Sequence, residues 1–363
     1  MADLRPSILQ YVLDFVEPNS GLDFNSTGSK VDVDISNGIA RVEICISYPL
    51  KAAAAAVSTK LVNGLQALPG VTTAIATVNQ QIVSAAVSQN LQPVQGIRNI
   101  LVVASGKGGV GKSTTAANLA LALAHDGASV GLLDADIYGP SQARMMGLTG
   151  QHPSSRDGKT FDPLNAYGIK VMSIGLLVDD EQPMVWRGPM VTQALTQLLN
   201  DCHWGELDYL VVDMPPGTGD IQLTLSQRVP ISGAIIVTTP QDIALLDARK
   251  GLKMFEKVGV PVLGIVENMS THICSNCGHE EHVFGAGGGA RMAQQYKVDL
   301  LAELPLDIRI REHADGGKPT VAADASSTLA QAYLLMARRT TSRLARHSIQ
   351  SGKSIPDIVI EET

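Results

Sequence analysis

Residues 106–114 read Gly106-Lys107-Gly108-Gly109-Val110-Gly111-Lys112-Ser113-Thr114. They follow an apolar run, residues 99–104, precede an Ala- and Leu-rich helical pattern, and match the phosphate-loop pattern G-x-x-x-x-G-K-[ST] in its strand–loop–helix context. Glycines let backbone N–H groups converge on phosphate oxygens, and the start of the following helix adds positive potential. We therefore expect this loop to bind nucleotide phosphates, with Lys112 at the β- and γ-phosphates and the Ser113 hydroxyl on Mg²⁺.

Two further apolar runs end in acidic residues. Residues 129–136 end in Asp134 and Asp136, and residues 209–213 end in Asp213. A carboxylate at a strand end beside a phosphate loop can hold Mg²⁺ or orient the attacking water. We expect Asp213 and Asp134 near the Mg²⁺ shell. For Asp134 and Asp136 the alternatives are two ordinary loop acids or a helix cap. The segment 214–220, Met-Pro-Pro-Gly-Thr-Gly-Asp, suits a switch that senses the γ-phosphate.

Apolar strand patterns alternate with helical patterns along most of the chain, which predicts an α/β fold with a mostly parallel sheet and helices on both faces. A small α+β domain precedes it, with a hairpin turn at Asn37-Gly38. The predicted strands of the large domain are residues 99–104, 129–134, 170–174, 209–213, 234–238, 262–266 and 301–303. The predicted divisions are a small domain at 1–90, a linker at 91–97, a phosphate-loop domain at 98–349 and a tail at 350–363.

Composition limits the class of protein. The net charge of −7 gives no chain-level basic footprint for nucleic acid. The first 20 residues have no secretory pattern, and no run of 18 uncharged apolar residues predicts a membrane span. Four cysteines in 363 residues do not form a disulfide framework, so we expect a cytoplasmic protein with no membrane or nucleic-acid partner. The basic stretch 338–346 lacks bulky apolar residues and is interpreted as a solvated helix end.

Cys274 and Cys277 form a C-x-x-C pair followed by glycine, and such thiolates can bind one soft metal centre together. The residues leave three interpretations open. Two chains can each give one pair to a shared [4Fe–4S] cluster or metal, one chain can complete a zinc site with histidines, or the pair can be a redox dithiol. The histidines in question are His272, His279 and His282.

Together these motifs resemble the Mrp/ApbC family of iron–sulfur cluster carrier ATPases, which share a deviant phosphate loop with MinD/ParA-like ATPases. The matching stretches are residues 106–114, Asp134-Ala135-Asp136-Ile137-Tyr138-Gly139-Pro140-Ser141, Val185-Trp186-Arg187-Gly188-Pro189-Met190, residues 213–220, Glu267-Asn268-Met269-Ser270, and Cys274 with Cys277. The first domain resembles the iron–sulfur assembly-type domain often fused ahead of these ATPases. It has Tyr48-Pro49-Leu50 where such domains often carry a cysteine, so a direct thiol role for it is not expected.

The resemblance implies specific roles. Lys107 reaches across a homodimer to the partner's nucleotide, Asp136 orients the attacking water, and Asn268 bonds the adenine edge. ATP is the implied nucleotide, and a labile [4Fe–4S] cluster at the dimer interface is passed to apo iron–sulfur proteins, with scaffold proteins as further partners. The alternatives are a MinD/ParA-type partition or positioning ATPase, and a metal scaffold whose ATP site is only structural.

Overall fold

The structure is a computed structural model that describes residues 4–85, 91–155, 157–177, 188–274, 276–350 and 352. Its contacts divide the chain into two compact units, the first formed by Met1–Ala86 with Thr341–Thr363 and the second by Val87–Thr340. Residues 185–187 of the Trp-Arg-Gly-Pro segment, and all of the predicted tail except residues 350 and 352, lie outside the described residues.

The first unit is a three-stranded sheet with two helices. Its elements are α1 (Arg5–Leu13), β1 (Lys30–Ser36), β2 (Ile39–Ile46), α2 (Ala54–Gln66) and β3 (Thr73–Gln80). β1 and β2 form the predicted hairpin, and Asn37 and Gly38 both take the left-handed conformation that such a two-residue turn requires. β2 pairs in parallel with β3. Alternate residues of β2 are buried, as expected for a strand with one face in the core.

The second unit is a nine-stranded sheet with helices between the strands. Its strands are β4 (Ile97–Ser105), β5 (Val130–Asp134), β6 (Leu164–Ala166), β7 (Ile169–Ser173), β8 (Leu207–Asp213), β9 (Gly233–Thr238), β10 (Val262–Ile273), β11 (Glu280–Glu281) and β12 (Leu300–Leu306). Its helices are α3 (Lys112–His125), α4 (Gln142–Met145), α5 (Gly188–Asn200), α6 (Asp220–Arg228), α7 (Asp242–Lys257), α8 (Gly288–Tyr296), α9 (Ile308–Asp315), α10 (Thr320–Ala323) and α11 (Thr328–Gln350), the last of which continues into the residues grouped with the first unit.

The strand order is β11-β10-β9-β4-β8-β5-β7-β6, with β12 also paired to β10. All pairs are parallel except β6–β7 and β10–β11, so the predicted mostly parallel α/β sheet is confirmed. The central strands are buried almost throughout, which is why they read as continuous apolar runs. The register places Asp134 of β5 opposite Asp213 of β8, and Asp213 opposite Val103 of β4. The predicted acids therefore meet at the carboxyl edge, beside the phosphate loop.

Two features differ from the sequence-based expectations. The predicted strand 262–266 is longer in the structure, because β10 continues through Asn268 to Ile273, with Met269 in a left-handed conformation. The contact-based division also groups residues 341–363 with the first unit, whereas the sequence-based boundary lies at 349. The physical reason is burial, since Ala345 packs into the apolar core of the first unit.

The basic stretch 338–346 is not a solvated helix end. Arg338 is buried and forms a bidentate ion pair with Asp126, at 2.7 and 3.0 Å. Arg339 donates to the Leu301 carbonyl, and Arg343 donates to the Ser20 carbonyl. These arginines are therefore engaged inside their own units.

Within the described part of the chain, no helix combines the length and apolar character needed to cross a membrane.

Candidate nucleotide and thiolate sites

The phosphate loop connects β4 to α3 at the centre of the carboxyl edge. Two of its glycines are required sterically. A Cβ atom on Gly106 would lie 2.2 Å from the backbone carbon of Asp247, and one on Gly111, whose φ is +82°, would lie 2.1 Å from Nδ2 of Asn268. Around Gly108 and Gly109, by contrast, no described atom lies within 4 Å of the Cβ position. The loop is thus packed tightly at its two ends and open in the middle, as a phosphate cradle requires.

Lys112, the first residue of α3, gathers the predicted site residues around its ammonium group. It is only 6% exposed and forms a hydrogen-bonded ion pair with Asp213. Its Nζ lies 3.2 Å from the Ser113 hydroxyl and 3.9 Å from Oδ2 of Asp136. The structure therefore brings together Lys112, Ser113, Asp136 and Asp213, which come from three separate segments of sequence.

Asp134 is fully buried and is held by its own loop. Its two carboxylate oxygens accept hydrogen bonds from four donors, at distances between 2.9 and 3.1 Å; these are the backbone N–H groups of Asp136, Ser141 and Gln142 and the hydroxyl of Ser173. This carboxylate fixes the course of the loop after β5. Its expected contact with the Mg²⁺ shell stays a prediction.

The charges of this cluster are unbalanced, because Asp134, Asp136 and Asp213 face the single ammonium of Lys112. Burial, followed by the nearby charge of Asp213, raises the pKa of Asp134 to about 7. Burial also raises the pKa of Asp136, against the opposing effect of Lys112. A divalent cation would supply the missing positive charge, and carboxylate and hydroxyl oxygens are the ligands that Mg²⁺ prefers. The donor set therefore fits Mg²⁺.

Gln142 is a site residue that the sequence analysis did not identify. It begins α4 and is fully buried, and its Nε2 donates to the Ser113 carbonyl and to Oδ2 of Asp213, both at 2.9 Å. Its position at the end of the matching stretch 134–141 is the only signal in the sequence, since glutamine belongs to none of the motifs used. The side chain links Ser113 to Asp213, and the backbone N–H of Gln142 bonds Asp134, so this one residue contacts both acidic strand ends.

Asn268 and Glu267 are adjacent in β10, and their side chains contact different elements, the phosphate loop and α8. The Asn268 amide donates to the carbonyl of Val110 in the phosphate loop, at 2.9 Å. The buried Glu267 carboxylate accepts the N–H of Gly289 in the first turn of α8, and burial raises its pKa. Asn268 therefore lies at the phosphate loop, whereas its predicted contact with adenine stays a prediction.

Lys107 lies apart from the Lys112 cluster. It is half-buried, its backbone carbonyl accepts the Ser105 hydroxyl at 2.9 Å, and among the described residues its ammonium forms no ion pair. Within the described residues, no acidic side chain therefore holds the ammonium that is expected to act on a partner's nucleotide.

Cys274 and Cys277 lie at the tip of a hairpin, which we call the cysteine hairpin and define as residues 272–281. Its strands are the end of β10 and β11, paired through Ile273 with Glu280. The turn is closed by two backbone hydrogen bonds of 2.9 Å, from Cys274 N–H to the His279 carbonyl and from Gly278 N–H to the Cys274 carbonyl. The backbone N–H groups of Cys277 and Asn276 also point at the Cys274 sulfur and lower its pKa. Cys274 is partly exposed, and Cys277 is exposed at the surface.

The described chain does not complete a metal site around these thiols. In residues 4–350, apart from the undescribed gaps, no group of three or more His, Cys, Asp and Glu side chains could hold a metal ion. His272 and His282 use their Nδ1 atoms on the backbone carbonyls of Leu306 and Ser270, at 3.1 and 2.8 Å. The single-chain zinc interpretation therefore gains no support from this geometry.

Comparison with known protein families adds an independent finding. A family described as "ParA: NUBPL iron-transfer P-loop NTPase" matches residues 96–341. The chain is 61% identical over 267 residues to a protein of Pseudomonas fragi named "Iron-sulfur cluster carrier protein", covering 73% of this chain and 93% of that protein. A protein of the same name from Haemophilus influenzae is 47% identical over 343 residues, 94% of this chain and 93% of its own length.

A solved structure is similar to part of this chain. It is titled as a nucleotide-binding protein in complex with ADP from Archaeoglobus fulgidus, with Co found by PIXE. The sequence identity is 40% and the TM-score is 0.55, with 61% of this chain and 88% of that chain covered. The α/β fold therefore has a counterpart among solved structures.

Proposed function

This chain belongs to the NUBPL iron-transfer P-loop NTPases, and from that premise we propose that it is an ATP-hydrolysing carrier of an iron–sulfur cluster. One observation carries the proposal: a single strand, β10, contacts the phosphate loop through Asn268 and ends in the cysteine hairpin. The similarity of this chain to two proteins named as iron–sulfur cluster carriers supports the same assignment. The cluster is the cargo of this activity, and ATP is its substrate.

In this proposal residues 106–114 hold the phosphates of ATP. Backbone N–H groups of the open middle of the loop face the phosphate oxygens, and the N-terminus of α3 adds favourable potential. Lys112 exchanges its contact with Asp213 for the β- and γ-phosphates, which frees an Asp213 oxygen. Ser113 and Asp213 would then hold Mg²⁺ through oxygen ligands, directly or through water, and the ion would neutralise charge on the phosphates.

Asp136 is the residue proposed to orient the attacking water. Its carboxylate lies within 3.9 Å of the Lys112 ammonium, so it is beside the position proposed for the γ-phosphate. Its pKa is raised by burial, and a carboxylate of raised pKa is a better proton acceptor. Lys107, whose ammonium forms no ion pair in the described chain, is proposed to reach the nucleotide of a second chain. Hydrolysis would then depend on pairing of two chains.

Cys274 and Cys277 are proposed to provide two of the four thiolate ligands of a [4Fe–4S] cluster, and a second copy of the chain provides the other two. The exposed tip of the hairpin allows two pairs to meet. Exposed apolar side chains on segments at or after the carboxyl ends of strands support a homodimer. These are Tyr138, Met190, Ile243, Leu246, Ile273 and Ile308. A cluster held half by each chain is released to an apo iron–sulfur protein when the halves separate.

The test is anaerobic reconstitution of the full chain with iron and sulfide, followed by counting of both per dimer. We expect about four irons per dimer in the native chain and in a Cys45→Ser/Cys202→Ala control, and a loss of nearly all of them in Cys274→Ala/Cys277→Ala. A cluster retained by the Cys274/Cys277 variant would contradict the thiolate assignment. One tightly held zinc per chain would instead support the single-chain metal site.

A further inference from the structure

The amide oxygen of Gln142 is a buried acceptor at the nucleotide site that no described donor satisfies. Gln142 is fully buried, and both of its amide donor contacts are made, to the Ser113 carbonyl and the Asp213 carboxylate. Its Oε1 has no hydrogen-bond partner among the described residues. An unsatisfied buried acceptor costs free energy and needs an explanation such as a bound ion or water.

The orientation of this amide is fixed by its neighbours. Nε2 contacts two oxygens, the Ser113 backbone carbonyl and the Asp213 carboxylate. A backbone carbonyl can only accept hydrogen bonds, and an ionised carboxylate can also only accept them. Exchanging Oε1 and Nε2 would put the amide oxygen against these two acceptors and would lose both hydrogen bonds. The unsatisfied atom is therefore the oxygen, and it needs a donor.

The nucleotide itself cannot be that donor at this place. Ionised phosphate oxygens accept hydrogen bonds, so Oε1 gains nothing from them. Mg²⁺, however, keeps several of its waters when it binds through one or two carboxylates and substrate phosphates, and each such water donates two polarised O–H groups. Partners of this outer kind orient the ligands of a metal and contribute to its affinity.

We propose that Gln142 is an outer-sphere magnesium residue, whose Oε1 accepts a hydrogen bond from a Mg²⁺-bound water while its Nε2 holds Asp213 and the Ser113 backbone in position. The inference rests on the proposed Mg²⁺-nucleotide site and deepens it. Gln142 acts through the metal's water and through Asp213, so it is a positioning residue. Gln142 would therefore join the predicted carboxylates as a further residue of the metal site, and it would connect the loop after β5 to the metal.

The test measures ADP affinity with and without Mg²⁺, because both proposed roles of Gln142, at a metal-bound water and at Asp213, act through the metal. A purely structural amide would change both affinities equally, whereas a residue that acts through the metal changes mainly the affinity measured with Mg²⁺. Calorimetry on the native chain, Gln142→Leu and Gln142→Met should show that the factor by which Mg²⁺ strengthens ADP binding falls about tenfold in both variants. Using ADP removes the γ-phosphate and the attacking water from the measurement.

Asn99→Leu is the matched control, because Asn99 is an equally buried amide in β4 whose Nδ2 donates to the Asp208 carbonyl at 3.1 Å, away from the site. Its Mg²⁺ factor should equal that of the native chain. Equal weakening of ADP with and without Mg²⁺ in the Gln142 variants would overturn the proposal and leave a purely structural amide. An absence of any Mg²⁺ effect in the native chain would overturn the magnesium site itself, and the Gln142 inference with it.

Discussion

The nucleotide site and the cysteine hairpin are built in opposite ways. Around the phosphate loop, Lys112, Asp134 and Gln142 are buried, and each makes several contacts with other side chains or backbone groups of the same unit. At the hairpin tip, two accessible thiols are supported mainly by backbone hydrogen bonds within a short turn. The first region is nearly complete within one chain, whereas the second offers two ligands where a cluster needs four. Substitutions should therefore affect stability and catalysis in the first region, and only cargo in the second.

The largest expected effect is loss of ATP turnover on replacing Lys112. Lys112→Ala removes the cation proposed for the β- and γ-phosphates and leaves Asp213 without its ion-pair partner. We expect turnover of the Mg²⁺-loaded chain to fall by at least about 100-fold, measured as phosphate release. Lys253→Ala, at an exposed lysine of α7 that pairs with Glu256, is the matched control and should keep native turnover. A Lys112→Ala variant with more than a tenth of native turnover would contradict the assignment.

The next effect is a pH dependence of stability that belongs to the nucleotide region alone. Since burial raises the pKa of Asp134 to about 7, the nucleotide-free folded chain holds this proton over a range where the unfolded chain has released it. Stability from this group is fully present below about pH 4 and is lost as the pH rises towards 7, by an amount on the order of a few kcal/mol.

Denaturant unfolding between pH 4.5 and 7.5, without nucleotide or divalent cation, measures this slope. Asp134→Asn should flatten it, and the Cys274→Ala/Cys277→Ala variant should keep it. An unchanged slope in Asp134→Asn would assign the pH dependence to other groups.

A pair of glycine substitutions compares the two regions directly. Gly111 and Gly278 both have positive φ, but only at Gly111 would a Cβ collide, with Asn268. Gly111→Ala should weaken ADP binding by at least about tenfold, because the left-handed conformation costs roughly 1–2 kcal/mol and Asn268 must move. Gly278→Ala carries only the conformational cost and should leave ADP binding unchanged. Equal ADP affinities in the two variants would remove the steric argument for Gly111.

The smallest expected effect is on the stability of the chain without its cysteine pair. Cys274→Ala/Cys277→Ala changes two side chains at an accessible turn, so the free energy of unfolding should change by less than about 0.5 kcal/mol. Cys202→Ala, at a buried thiol, is the comparison and should cost more. Denaturant midpoints of the cluster-free proteins provide the measurement. A larger loss in the double variant would show that the hairpin supports the fold.

What the sequence could predict follows the same contrast. The loop 106–114 is contiguous, and Asp213 ends an apolar strand, so local pattern and strand-end position were enough to identify them. Gln142 could not be found in this way, because its partners Ser113 and Asp213 are distant in sequence and meet it only in the folded sheet. The continuation of β10 was also missed, since most of its residues beyond Val266 are polar and the apolar run of a buried strand is lacking there.

The left-handed residue Met269 has a consequence for how this molecule can change over evolutionary time. The pairing of β10 with β12 shifts register between Asn268 and His272, so the regular pairing that positions Asn268 stops before the segment that leads to Cys274. An insertion or deletion beyond this break would leave the alignment of the upstream strand unchanged. The hairpin that carries the proposed cluster ligands can therefore change in length or sequence without displacing Asn268 from the phosphate loop.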